Sequence, residues 1–105
     1  MNWKNDSSNI AKNIRFLEWL KGELVESVGK LFKAMMEGSE KLILDALTGI
    51  VMTVYLLAKR VGIDFDDLDA AVMKKIDEQI EKEHEAESWY GDLSSLKSYF
   101  NSQKR

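Results

Sequence analysis

The stretch LILDALTGIVMTVYLLA, residues 42–58, decides the fold because it is apolar on nearly every side of a helix. Such a helix must be covered on several sides, by other helices of the same chain or by a partner subunit. Its length is at the lower edge of a membrane span, and Asp45, Thr48 and Thr53 interrupt it. We therefore interpret it as a buried helix from about Glu40 to Val61, in a chain with no membrane span.

An amphipathic helix is predicted on the N-terminal side of this stretch. Its apolar residues recur at the spacing of one helical face, at Ile10, Ile14, Leu17, Leu24, Val28, Leu31 and Met35. Its start can be capped by Asp6, Ser7 or Ser8. Gly38 can end this helix and Ser39 can cap the next one, which predicts a tight turn between the first and second helices.

Two further helices are predicted on the C-terminal side. Gly62 can end the second helix, and Asp64 fits the N-cap of a third. The apolar line of this third helix is Leu68, Val72, Ile76 and Ile80. Residues 88–91 break the pattern, and Asp92 can cap a short fourth helix. The expected fold class is therefore all-α, a four-helix bundle-like module.

The composition restricts the class of protein. The chain has 105 residues, a net charge of −3, no cysteine and no proline. One domain is expected over residues 1–105, with an ordered core at about 8–100. Acidic residues cluster in 64–69 and 77–87, so no basic stripe is available for nucleic acid. The lack of cysteine and of an apolar leader in residues 1–15 predicts a cytoplasmic protein.

Several common kinds of site are excluded by the motifs. His84 is the single histidine, which leaves neither a catalytic triad nor a histidine-rich zinc site. Neither GxGxxG nor GxxxxGK[ST] occurs, so no glycine-rich phosphate loop is present. The acidic run 64–69 lacks the mid-loop glycine of a calcium loop, and helix capping with solvation explains it better.

Three acidic residues remain as candidates for chemistry. Glu23 and Glu26 are three residues apart on the first helix and share a face, and Asp45 lies within the apolar second helix. If the two helices pack antiparallel through the Gly38 turn, these carboxylates could converge. Crowded carboxylates repel unless a cation neutralises them, and Mg²⁺ prefers oxygen ligands. The alternative is that the glutamates form a solvated face paired with Lys30, and that Asp45 lies at the helix start, where the dipole favours it.

These residues also carry a family resemblance. Glu23-x-x-Glu26 on a long helix, then Asp45 on an apolar helix ending in RVGID at 60–64, resembles the MazG-type all-α nucleotide pyrophosphohydrolases. The segments EWLKGE at 18–23 and KEHEAESWYGDL at 82–93 are similar to a small bacterial and phage MazG-like subgroup. The similarity extends over roughly residues 10–100.

The resemblance implies a four-helix module that forms a homodimer or homotetramer. In active relatives, carboxylates hold Mg²⁺, and a nucleoside triphosphate is hydrolysed to the monophosphate and pyrophosphate. On this basis Glu23, Glu26 and Asp45 are the predicted catalytic and metal-binding residues. Substrate-binding candidates are Trp19, Lys74 and Lys75, although packing or a subunit contact explains Trp19 at least as well.

The acidic motif departs from the family pattern, which reads E-E-x-x-E and then E-x-x-D. Gly22 occupies the first acidic position. If Asp45 is the final aspartate, Leu42 replaces the glutamate before it. If the register is set by the 60–64 ending, Ala46 and Gly49 replace both acids. The alternative function is therefore a catalytically degenerate scaffold or protein-interaction module with the same bundle.

Overall fold

The computed structural model describes residues 3–82 and 85–103. These residues form helices joined by short connections, and they contain no strand. For 3–8 and 85–87 only the backbone is described. The helices are α1 (Trp3–Glu37), α2 (Glu40–Arg60), α3 (Phe65–Glu81), α4 (Glu85–Tyr90) and α5 (Asp92–Gln103). The all-α fold class is thus confirmed. The chain divides into two compact units, the first ending at Asp64 and the second beginning at Phe65.

The turn between α1 and α2 forms as the sequence predicts. Gly38 has a φ of 69°, the left-handed conformation that ends a helix and that glycine adopts without strain. Ser39 is the N-cap of α2, and its Oγ accepts a hydrogen bond of 3.3 Å from the backbone N–H of Leu42. This two-residue connection places α1 and α2 side by side as a helical hairpin.

The predicted start of α1 is wrong. The helix begins at Trp3, so residues 6–8 lie inside it instead of capping it. Serine and aspartate disfavour a helix interior by only a few tenths of a kcal/mol per residue relative to average residues, a small cost that a long helix can absorb.

The core of the first unit consists mainly of small side chains. Leu20 is 1% exposed on α1, and it is accompanied by the buried residues Ala34, Ala46, Thr53 and Ala58. Alanine and threonine allow α1 and α2 to approach closely, because little side-chain volume separates the two backbones. Half-buried apolar side chains such as Leu24, Leu31 and Ile50 surround this buried core.

Within the first unit, part of α2 is left exposed by α1. Its exposed large apolar side chains are Leu42, Leu44, Leu47, Val51, Met52 and Val54. Within the first unit, α1 covers one side of α2, and the interpretation of α2 as a buried helix stays a prediction. By length and composition α2 could cross a membrane, which is weak evidence because core helices of soluble proteins pass the same test.

The second unit is built around α3 and α5. Ile76 on α3 is 4% exposed, whereas its predicted partners on the same apolar line are half-buried. Lys97 Nζ on α5 lies 2.7 Å from Asp77 Oδ1 on α3, an ion contact without the alignment of a hydrogen bond. This pair is about half exposed, so it orients the two helices more than it stabilises them.

Helix α4 was not predicted, and the described chain therefore has five helices instead of four. The predicted break at 88–91 is shorter than expected, because the helix continues to Tyr90 and Gly91 ends it with a φ of 68°. Asp92 is the first residue of α5 rather than its cap. Glutamate and alanine are good helix formers, so the polar character of this segment indicated exposure, not a loop.

We expect Leu20→Ala to lower the free energy of unfolding by about 2–4 kcal/mol, because it leaves a cavity in a contact line of small residues. Urea unfolding followed by circular dichroism measures this change. Met36→Ala is the matched control on the same helix, since Met36 is 89% exposed. Equal losses in the two variants would show that Leu20 does not carry the hairpin core.

Candidate functional site

An open groove of about 520 Å³ runs between α1 and α2 near the Gly38 turn. The α1 wall consists of Ser27, Lys30, Lys33, Ala34 and Glu37. The α2 wall consists of Leu42, Asp45, Ala46 and Gly49. The groove is therefore lined by two ammonium groups, two carboxylates and one hydroxyl, together with apolar side chains.

Helical periodicity produces both walls. Ser27, Lys30, Ala34 and Glu37 follow the spacing i, i+3, i+7, i+10, which keeps them on one face of α1. Leu42, Asp45 and Gly49 have the same type of spacing on α2. Lys30 and Lys33 were missed as site residues in the sequence, although the spacing of Lys30 relative to Ser27 and Ala34 is a signal that could have identified Lys30.

The side of α2 that faces α1 has no acidic residue where the two helices are closest. Ala46 is 7% exposed, and a Cβ added at Gly49 would lie 3.3 Å from Ser27 Oγ. Gly49 thus brings the α2 backbone close to the Ser27 side chain. Asp45 is one position away from Ala46, is exposed, and lines the groove from its rim.

The predicted α1 glutamates lie outside the groove lining. Glu26 is exposed, and its Oε1 lies 3.2 Å from Lys30 Nζ, one helical turn further along α1. Glu23 is half-buried. Asp45 therefore lines the groove. Glu26 does not line it, but Glu26 contacts Lys30, which does.

The described residues contain no group of three or more histidine, cysteine, aspartate or glutamate side chains that could hold a metal ion. The convergence expected for Glu23, Glu26 and Asp45 is thus not formed within one chain. The physical reason is the rotation of α2 about its axis, which turns Ala46 and not Asp45 towards α1. The roles assigned to the three acids stay predictions.

The predicted substrate-binding residues lie elsewhere. Trp19 is 57% exposed and stacks on Phe16 with ring centroids 5.8 Å apart, while the Arg60 guanidinium lies 6.0 Å from the Phe16 centroid. Trp19 thus contacts Phe16 on its own helix, and its role in substrate binding stays a prediction. Lys74 and Lys75 are exposed on α3 in the second unit, and their predicted role stays untested.

A known protein family matches most of the chain. The model of the MazG-like family matches residues 10–93, which include both walls of the groove. The chain belongs to the MazG-like family. No curated protein and no solved structure matches it. Glu83 and His84, in the segment at 82–93 that resembles the MazG-like subgroup, lie outside the described residues.

The two possible alignments of the MazG family motif place its acidic positions on different residues of α2. In the register set by the 60–64 ending, the acidic positions fall on Ala46 and Gly49, which are the residues that face α1. In the other register the aspartate is Asp45, which lies at the groove rim. The MazG-like chain therefore has small, neutral residues at the helix contact and a single α2 carboxylate beside it.

We expect Gly49→Asp to make the melting temperature of the MazG-like chain respond to Mg²⁺. The new side chain meets a rotatable hydroxyl, and it adds a carboxylate opposite the helix face that carries Glu23 and Ser27. Binding at tenfold excess over the dissociation constant would stabilise the variant by about 1.4 kcal/mol. Thermal unfolding with and without 10 mM Mg²⁺, about a tenfold excess for a millimolar site, measures the response.

Gly49→Asn is the control, because it has the same shape without the charge. A response of the asparagine variant equal to that of the aspartate variant would contradict a carboxylate site at this position. An unresponsive aspartate variant would contradict it as well.

Proposed function

We propose that this chain is a nucleotide pyrophosphohydrolase of the MazG type, which cleaves a nucleoside triphosphate to the monophosphate and pyrophosphate at the α1–α2 groove. The observation that carries the proposal is the family match over residues 10–93, which spans every residue of the groove. Asp45 supports it further, because this carboxylate shares the groove with Lys30 and Lys33.

The carboxylates of the groove are too few to enclose Mg²⁺ by themselves, but they could hold it together with the phosphates of a substrate. A cage made of protein ligands alone needs more carboxylates than the described residues bring together. Mg²⁺ commonly keeps several waters and is held by one or two carboxylates together with substrate phosphates. Asp45 and Glu37 line the same groove and fit this second mode. When bound there, Mg²⁺ would neutralise phosphate charge and activate water.

The cationic side chains of the groove would bind the polyphosphate. Lys30 and Lys33 are one turn apart on α1, so their ammonium groups can contact successive phosphates. The Ser27 hydroxyl can donate a further hydrogen bond to a phosphate oxygen. Glu26 holds Lys30 by the 3.2 Å ion pair and therefore acts as a positioning residue.

A second candidate is a MazG-like scaffold without catalysis. It is favoured by the neutral residues Ala46 and Gly49 at the face of α2 that meets α1, and by Gly22 at the first acidic position of the motif. This candidate keeps the helical hairpin and its contacts with other chains, but it releases no pyrophosphate. A homodimer or homotetramer in the cytoplasm is part of both proposals.

We expect Mg²⁺-dependent release of pyrophosphate from at least one nucleoside triphosphate. Asp45→Asn should lower kcat/KM about 100-fold, the order of loss seen when one group that stabilises charge in a transition state is removed. Glu26→Gln should lower kcat/KM by no more than about fivefold, because the exposed ion pair with Lys30 is worth about 1 kcal/mol at most. A coupled pyrophosphate assay across the common ribo- and deoxyribonucleotides measures both effects.

The control for Glu26 is Glu18→Gln, because Glu18 is an equally exposed α1 glutamate that pairs with Lys21 at 2.8 Å. Asp66→Asn on α3 is the control for Asp45. No turnover of any nucleotide by the unmodified chain would reject the hydrolase and leave the scaffold.

We expect Lys33→Gln to raise KM about fivefold at low ionic strength, corresponding to about 1 kcal/mol of Coulomb attraction to a phosphate in water. The difference should shrink as salt is added, because exposed charges are screened. Steady-state kinetics in 20 mM and 300 mM KCl, conditions on the order of 20 and 6 Å in Debye length, test this. Lys41→Gln is the matched control, since Lys41 is an exposed α2 lysine outside the groove. An equal rise of KM in the Lys33→Gln and Lys41→Gln variants would indicate that the phosphates do not bind in the groove.

A further inference from the structure

The groove between α1 and α2 combines charges of both signs. Lys30 and Lys33 supply two positive charges. Glu37 and Asp45 supply two negative charges, so the lining as a whole is neutral. Among the described residues, Lys33, Glu37 and Asp45 form no ion pair. Lys30 pairs with Glu26, which lies outside the lining. The charges of the groove therefore do not neutralise one another across it.

Unpaired charges favour a hydrated groove that takes a charged ligand. Burying an unpaired ammonium or carboxylate costs far more than burying an apolar side chain gains. A ligand compensates this cost when it carries both signs of charge, an anion for the two lysines and a cation for the two carboxylates. A phosphate chain with Mg²⁺ has this composition, because Mg²⁺ binds carboxylate and phosphate oxygens together.

The described lining of the groove has no group that distinguishes nucleobases. Proteins recognise a base by stacking it on an aromatic ring, or by hydrogen bonds from groups such as a side-chain amide. Among the described residues of the lining, none has a ring or a side-chain amide. The uncharged ones are Ser27, Ala34, Leu42, Ala46 and Gly49. A single hydroxyl both donates and accepts, so it does not select one base over another.

The exposed aromatic rings of α1 that stack on each other lie at a distance from the lysines. Phe16 and Trp19 form this stacked pair. Trp19 precedes Lys30 by a separation of about 16 Å along the helix axis. The groove residues therefore contact the phosphates of a ligand without a ring beside them to hold its base.

We propose that the groove recognises a linear phosphate chain with its Mg²⁺, and that it does not recognise the nucleoside. The ligand class is the Mg²⁺ complexes of linear polyphosphates, and inorganic tripolyphosphate is the member with as many phosphates as a nucleoside triphosphate. This inference rests on the proposed function, because it takes the groove as the phosphate site. It goes further, since the same site then binds a chain that has neither base nor sugar.

Isothermal titration calorimetry on the full chain with Mg²⁺ compares tripolyphosphate with a non-hydrolysable nucleoside triphosphate and a nucleoside monophosphate. The first two should have dissociation constants within about fivefold, which is the order of one phosphate–lysine contact in water. The monophosphate should bind at least about fivefold more weakly, because it offers one phosphate to two lysines.

Three results of this titration would overturn the proposal. The first is that tripolyphosphate does not bind. The second is that the nucleoside triphosphate binds tighter than tripolyphosphate by more than the expected factor. The third is that the affinity for tripolyphosphate is unchanged when EDTA replaces Mg²⁺, because the carboxylates would then have no part in binding.

Lys30→Gln tests whether tripolyphosphate binds in the groove. This variant should weaken tripolyphosphate binding about fivefold at low ionic strength, because one ammonium group is lost. Lys21→Gln is the matched control, since Lys21 is a similarly exposed α1 lysine that pairs with Glu18 as Lys30 pairs with Glu26. Equal weakening in the two variants would place the ligand outside the groove and overturn the proposal.

Trp19→Ala tests the nucleoside part of the proposal. A loss of affinity for the nucleoside triphosphate alone would show that the base stacks on Trp19, and it would overturn the proposal. These titrations measure binding, so they are independent of turnover. A chain that binds tripolyphosphate but releases no pyrophosphate from any nucleotide would reject the hydrolase and keep this inference. A chain that hydrolyses nucleotides but does not bind tripolyphosphate would reject this inference alone.

Discussion

The close approach of α1 and α2 is the constraint on which the first unit depends. Two backbones come together where Ala34, Ala46, Gly49 and Thr53 leave little side-chain volume between them. This contact combines small residues with half-buried apolar side chains such as Leu24 and Leu31. It fixes the rotation of α2, and this rotation decides which residues line the groove and which remain uncovered. The groove and the exposed apolar face therefore have the same origin.

Much of the fold could be predicted, because helix ends depend on local chemistry. Gly38, Ser39 and Gly62 adopt the cap conformations that their residue types favour, and Asp64 directly precedes α3. The failures have equally local causes. Residues 6–8 are of types that favour N-caps but are also tolerated inside a helix. The residues before Gly91 form a helix without the periodic apolar residues that would predict one.

The candidate site was less predictable, because it depends on how two helices face each other. Sequence spacing shows that Glu23 and Glu26 share a face, but it does not show which face of α2 turns towards them. A shift of one position, from Asp45 to Ala46, rotates a side chain by about 100° around the helix axis. The carboxylate therefore lies at the groove rim, and Glu26 contacts Lys30 instead of a second acid.

The unequal lengths of the hairpin arms have their own consequence. Helix α1 has 35 residues and α2 has 21, so α1 extends about 20 Å beyond the last turn of α2. Phe16, under the Arg60 guanidinium, marks the place where the shorter arm ends. Upstream of it, Ile10 and Ile14 have no counterpart on α2, so packing against α2 does not support the backbone hydrogen bonds of this segment. Within the hairpin, amide protons should therefore exchange with solvent fastest in this segment and more slowly towards the turn, so local stability increases along α1.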